Sequence, residues 1–153
     1  MPKEELQKHA LAFLRQHITA VLATSSLSGE SQSAVLYYDV DDDFNFYFIS
    51  SKDSQKIKNL MVNKRASIVI GFGKMVSTVQ GAGEVEIIED VDFNLFAKII
   101  ERIQLYEADQ LPLSQVNKTG FVTIKVKPRW LTWLNLDKMT YPETYGKDFQ
   151  QLL

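Results

Sequence analysis

The 153 residues fit one domain with a single core, and 45% apolar with 24% charged residues is ordinary globular usage that excludes a disordered chain. A formal charge of −2 excludes the basic field that nucleic acid or an anionic membrane would need. The absence of cysteine excludes disulfide scaffolds, thiolate nucleophiles and Cys-based zinc sites.

The opening Met1-Pro2-Lys3-Glu4-Glu5 carries two acids and no apolar run, so no signal peptide is expected. No stretch approaches the roughly 20 apolar residues of a membrane helix. The expectation is a cytoplasmic protein without nucleic-acid or membrane partners. Leu6, Ala10, Phe13 and Leu14 recur at helical spacing and predict an amphipathic helix over 3–16. Ile18 to Thr24 reads as a short buried strand, and Ser28-Gly29 as a hairpin turn into a second strand over Gln32 to Val40. Asp41-Asp42-Asp43 is a solvated turn that lacks the alternating oxygen ligands of a calcium loop. Phe44 to Ser50 is a third strand pairing back on the second.

Ser51-Lys52-Asp53-Ser54 offers N-caps, and Ile57, Leu60 and Met61 predict a helix of about ten residues ending near Asn63. Ala66 to Phe72 and Val76 to Glu89 are strands four and five. Gly81 and Gly83 mark a bulge or barrel corner. Asp92 starts a second amphipathic helix with Phe93, Phe96, Ile99, Ile100 and Ile103. A polar loop with Pro112 covers Asp109 to Lys118. Phe121 to Val126 and, after Pro128, Arg129 to Leu136 are the last two strands. The tail holds Tyr141, Pro142, Tyr145 and Phe149 without periodicity. Strands do not alternate with helices, which argues against a doubly wound sheet. Seven short strands with hairpin-like links predict one mainly β domain over 1–153: an antiparallel, Greek-key-like barrel with flanking helices.

Catalytic constellations are sparse. His9 and His17 lie in or beside the first helix, and a helix-surface role suits both. There is no Gly-x-Ser-x-Gly elbow, no Gly-x-Gly-x-x-Gly and no Walker loop. The informative segment runs from Phe46 to Leu60, where a buried strand ends in Ser50-Ser51 and enters a helix. Unpaired N–H groups and the positive dipole end converge there, and serine hydroxyls with a lysine complete a phosphate cradle. A plain capping role for Ser51 or Ser54, with solvated lysines, stands beside that reading.

Residues 29–38, then 46–60, then Asn63-Lys64, an apolar strand and Thr78-Val79-Gln80-Gly81 form an ordered set. With the first helix and Val21-Leu22-Ala23-Thr24, this set resembles the pyridoxamine 5′-phosphate oxidase-like, FMN-binding split-barrel family. The resemblance implies an FMN-binding homodimer with the cofactor at the interface, acting as an oxidoreductase or flavin reductase on a small-molecule substrate. It implies that Ser33, Ala34, Val35 and Tyr37 lie along the flavin ring, and that Ile49 and Ser50 meet the ring and ribityl chain. By the same resemblance Ser51, Lys52, Ser54, Gln55 and Lys56 form the phosphate turn, and Gln80 faces the cofactor. Trp130 and Trp133 take a place near the cofactor, at the dimer seam or in the core.

Two departures stand out. Gln55 replaces an arginine common in relatives, leaving Lys52 and Lys58 as substitutes. The C-terminal half has no histidine for the Arg-x-His element that grips vitamin B6, so pyridoxamine phosphate oxidation is rejected. Alternatives implied by the same scaffold are an F420-type deazaflavin, a haem-handling relative and a non-catalytic, stress-associated flavin binder.

Overall fold

Alternation of apolar and polar side chains builds the sheet. In Arg65–Ile70 the residues Ala66, Ile68 and Ile70 are buried while Arg65, Ser67 and Val69 face out. The computed structural model describes residues 2–72, 77–91, 93–106, 120–135 and 149–153. In chain order these form α1 (Lys3–Gln16), β1 (Thr19–Ser25), β2 (Ser31–Val40), β3 (Phe46–Ser51), α2 (Gln55–Val62), β4 (Arg65–Ile70), β5 (Ser77–Ile88), α3 (Phe93–Tyr106), β6 (Phe121–Asn135) and β7 (Phe149–Gln151).

All pairings among the described strands are antiparallel, in the order β3-β2-β1-β4-β5-β6-β7. β4 returns beside β1 in the Greek-key manner, and β3 pairs β6 from Phe46↔Val126 to Ser51↔Phe121, closing six strands into a barrel. The interior is filled by Leu22, Phe46, Phe48, Ile68, Ile124 and Leu131, all at most 1% exposed. Leu6, Ala10 and Leu14 of α1 pack onto the same core, the face that the helical spacing marked.

The C-terminal strands depart from the sequence reading. Pro128 does not separate two strands: β6 runs unbroken through it. The register shifts between Ala82 and Gly83, so that Ala82 faces Trp130, Gly83 faces Pro128, and Arg129 is the extra residue of a β-bulge. A bulge is where a sheet tolerates proline's missing N–H. Glycine is required opposite, because a Cβ on Gly83 would overlap the Lys127 carbonyl oxygen. The seventh strand is β7, in the tail read as aperiodic. α2 has eight residues instead of ten. The loop at 109–118, Asp92 and the residues from Leu136 to Gly146 lie outside the described residues.

α3 covers the far side of β2 and β3. Leu95, Phe96, Ile99, Ile100 and Ile103 pack against Tyr47, Ile49 and Val91. Its Arg102 is a clamp. Nη1 donates to the Tyr38 carbonyl at 2.7 Å and to Asp39 Oδ1 at 3.2 Å, and Nη2 donates to the carbonyls of Leu14, at 3.3 Å, and His17. The guanidinium also stacks 4.9 Å over the Tyr38 ring, whose hydroxyl donates to Leu14 O at 2.5 Å. The last carbonyls of α1, which no helical N–H reaches, thus find their donors on β2 and α3. Replacing Arg102 by leucine strands several carbonyls and Asp39, and is expected to cost about 3 kcal/mol in urea unfolding. A loss below about 1 kcal/mol, the range of an exposed ion pair, would contradict the clamp.

Candidate functional site

The β2–β3 ladder is short. Its register pairs Tyr38↔Phe48, Asp39↔Tyr47 and Val40↔Phe46 and stops there. Continued by one residue at a time, it would set Ile49, Ser50 and Ser51 against Tyr37, Leu36 and Val35. Instead β3 follows β6 and β2 follows β1, which opens a wedge between them. The Tyr38 N–H donates to the Ile18 carbonyl at 3.2 Å, on the β1 side. By antiparallel alternation, Leu36 and Ala34 also bond toward β1. The N–H of Tyr37 and the N–H and C=O groups of Val35 and Ser33 then point into the wedge, where no described strand pairs with them.

α2 lines the other wall. Ser50, 4% exposed, sits with its Oγ 3.2 Å from Ser54 Oγ. Ser54 is the N-cap residue but forms no side-chain cap bond, so the first N–H groups of α2 keep no side-chain acceptor. The Lys52 N–H donates to the Gly120 carbonyl at 2.8 Å, which fixes the turn. Lys52 is exposed and Lys56 half-buried. Gln55 Nε2 donates to Asn59 Oδ1 at 3.0 Å, and Asn59 Nδ2 donates to Thr24 Oγ1 at 3.1 Å. Asn63 Nδ2 reaches Ser25 Oγ at 3.0 Å. Gln55 is therefore one end of a strut that ties α2 to β1.

The wedge thus gathers Ser33, Ala34, Val35 and Tyr37 on one side, and Ile49, Ser50, Ser51, Lys52, Ser54 and Lys56 on the other. The Ile49 side chain packs under α3 and so turns away from the wedge. Gln80 lies elsewhere on the outer face, in the row Val35–Val21–Val69–Gln80. Three strand spacings, about 14 Å, separate it from Val35. Trp133 belongs to the core: it stacks on Phe13 at 5.6 Å and its Nε1 donates to Ser77 Oγ at 3.1 Å. Trp130 is 45% exposed on the outer face.

Sequence reasoning missed a groove of about 600 Å³ on that face, which Arg65, Arg129, Trp130, Ser31 and Ser67 help to line. The signal was present for Arg65 and Ser67, since alternation sets them opposite the buried Ala66 and Ile68. It was absent for Arg129, whose direction depends on the bulge.

A second cavity, of about 300 Å³, lies between α3 and the barrel and includes Asp39, Asp41 and Tyr47. Asp41 locks the turn that the acidic triplet forms. Its Oδ1 accepts from the Asp43 and Asn45 N–H groups, and its Oδ2 from Asn45 Nδ2 and the Tyr47 hydroxyl, at 2.9–3.0 Å. Burial pushes its carboxyl up, but these bonds outweigh that and hold it below 3.8. Burial, the Asp41 hydrogen bond and nearby acidic charge push the Tyr47 hydroxyl up to about 12.

The closed six-stranded antiparallel barrel, with helices outside and one ladder split open, is the architecture of FMN-binding split barrels. The family model for pyridoxamine 5′-phosphate oxidase matches residues 6–134, from α1 through β6, and the chain belongs to that family. Solved structures share the fold. An F420 reductase is 20% identical, with 78% of this chain and 93% of that one covered and a TM-score of 0.67. A pyridoxamine 5′-phosphate oxidase-related, FMN-binding protein from Nostoc punctiforme is 16% identical, with 88% and 83% covered and a TM-score of 0.59. The heme storage protein HutZ from Vibrio cholerae is 18% identical, with 81% and 92% covered and a TM-score of 0.62. No curated protein matches the chain. No described helix is long and apolar enough to cross a membrane.

The Asp41–Tyr47 bond has a two-sided pH signature. Tyr47's contribution to stability is complete below its ordinary value of 10.0 and is lost as pH rises toward about 12. Asp41's contribution is present above 3.8 and is lost as pH falls through its lowered folded value. In Tyr47→Phe, Asp41 loses one donor and its folded value moves back toward 3.8, so the fall in melting temperature below that pH is expected to be shallower. The alkaline difference titration should also lose a phenol that ionises near 12. An unchanged acid limb would show that the bond does not hold Asp41.

Proposed function

We propose that this chain binds FMN in the wedge, between two copies of itself, and acts as an oxidoreductase or flavin reductase distinct from pyridoxamine phosphate oxidase. The observation that carries the reading is the set of main-chain groups of Ser33 and Val35 that no described strand pairs, opposite the start of α2. Edge donors and acceptors of this kind match the amide-like edge of a flavin ring, and they need a partner. The donor set at α2 suits a phosphate monoester: the uncapped N–H groups, the Ser51 and Ser54 hydroxyls, and the ammonium groups of Lys52 and Lys56. Gln55 bonds to Asn59 through one of its two amide hydrogens and is neutral, so the two lysines carry the charge an arginine would bring.

When bound, the flavin would supply hydride or electron transfer, and the chain's residues would orient it. Val35, Tyr37 and Val69, between 37% and 60% exposed, put large apolar side chains on the outer face. A two-fold axis through that face would bury them on both copies and enclose the cofactor. His9 and His17 stay with α1: His9 is exposed beside Glu5, and His17 Nδ1 lies 2.9 Å from the Phe13 carbonyl. They give no support to vitamin B6 oxidation or to a haem site at the wedge. Family membership and the FMN-binding Nostoc neighbour support the flavin reading, and the F420 reductase neighbour supports a redox role.

The double variant Ser54→Ala, Lys56→Ala is expected to weaken FMN by about tenfold or more while the melting temperature holds. Unchanged affinity would remove the phosphate assignment. In sedimentation, the wild-type chain should run as a dimer and Val35→Glu as a monomer. Flavin held at one equivalent but never turned over by NADH or NADPH with an acceptor would reduce the proposal to a flavin-binding module.

A further inference from the structure

We infer that the groove on the outer face is a binding subsite for a planar aromatic anion, a ring bearing a carboxylate or a phosphate. Its role as the substrate subsite rests on the flavin reading above. The floor is made of small side chains in one row across the sheet, Ala23, Ser67 and Ala82, reached from Ser33 on β2. The neighbouring row, two residues along each strand and so about 7 Å away, is the one that holds Val35 and Gln80. The groove therefore runs alongside the proposed cofactor edge.

The bulge at Arg129 equips it. In a regular strand consecutive side chains point to opposite faces, but Arg129 and Trp130 are both exposed and both line the groove. The extra residue sets a guanidinium beside an indole, a pairing that recognises a charged ring by stacking and ion pairing together. Arg65 adds a second guanidinium from β4 and has no ion pair among the described residues. Glu84 is the countercharge, 3.8 Å from Arg129, with both side chains about 60% exposed. So open an ion pair is weak and yields to a better anion. The serine hydroxyls of the lining add neutral donors, and about 600 Å³ admits a ligand of ordinary metabolite size.

The test titrates the intact protein, with and without added FMN, with phenyl phosphate, benzoate and the neutral benzyl alcohol, reading tryptophan quenching that Trp130→Phe abolishes. Both anions are expected to bind and benzyl alcohol at least about tenfold more weakly, with the stronger anion naming phosphate or carboxylate as the preferred group. Arg65→Gln and Arg129→Gln should each weaken the anions by about tenfold and leave FMN affinity unchanged, while Glu84→Gln should tighten them several-fold. Equal binding of benzyl alcohol, or indifference to both arginines, would overturn the proposal. So would a loss of FMN affinity in the arginine variants without loss of phenyl phosphate binding, because the groove would then hold the cofactor. Charge-dependent binding in a protein that retains no FMN would uphold the anion site and sink the flavin reading alone.

Discussion

The three-pair ladder between β2 and β3 is the constraint on which the rest depends. A strand in a closed barrel normally gives both edges to its neighbours. Here β3 uses one edge for β6 along its whole length and shares only Phe46, Tyr47 and Phe48 with β2. The buried Phe44, at φ 62°, turns the chain tightly between the two strands before they diverge. The divergence leaves main-chain polar groups of β2 that no described strand pairs, and such groups in a half-covered setting call for a ligand or another chain. Every site residue that the wedge gathers owes its position to that opening.

The opening is held by elements on both sides. α2 is tied to the far end of β1 by Asn59–Thr24 and Asn63–Ser25, so the helix start cannot drift from the β2 edge. On the opposite side, Arg102 joins α1, β2 and α3 at Tyr38, the last residue of β2 before the split. Tyr38 is 1% exposed and bonded through its ring, its hydroxyl and its carbonyl. A rigid hinge at that point converts a gap in a sheet into a wedge of fixed angle, which is what a flat ring requires for orientation.

Much of this was legible in the sequence, because period and punctuation are local signals. The spacing of Leu6, Ala10 and Leu14 marked α1, Ser28-Gly29 marked the first hairpin, and Ser51 to Ser54 marked the start of α2. Gly81 and Gly83 announced the bulge, since only a residue without Cβ tolerates the Lys127 carbonyl so close. What escaped depends on partners far along the chain. Pro128 reads as a strand break until Gly83 is seen opposite it. Arg102 reads as a polar position on an amphipathic helix until the carbonyls of Leu14 and His17 arrive beneath it. Gln55 reads only as a position in the phosphate turn, and its bond to Asn59 shows once α2 brings the two together. The arginine groove required the register of β4, β5 and β6 together, and no single segment carries it.

The central claim is that the wedge is a flavin site, and an absorbance spectrum of the purified protein tests it most directly. The spectrum is taken before and after incubation with excess FMN, with the unbound fraction removed. The account predicts flavin bands near one equivalent per chain, perturbed from those of free FMN. A colourless protein that releases all added FMN would contradict it, leaving the split barrel intact and its wedge without the proposed cofactor.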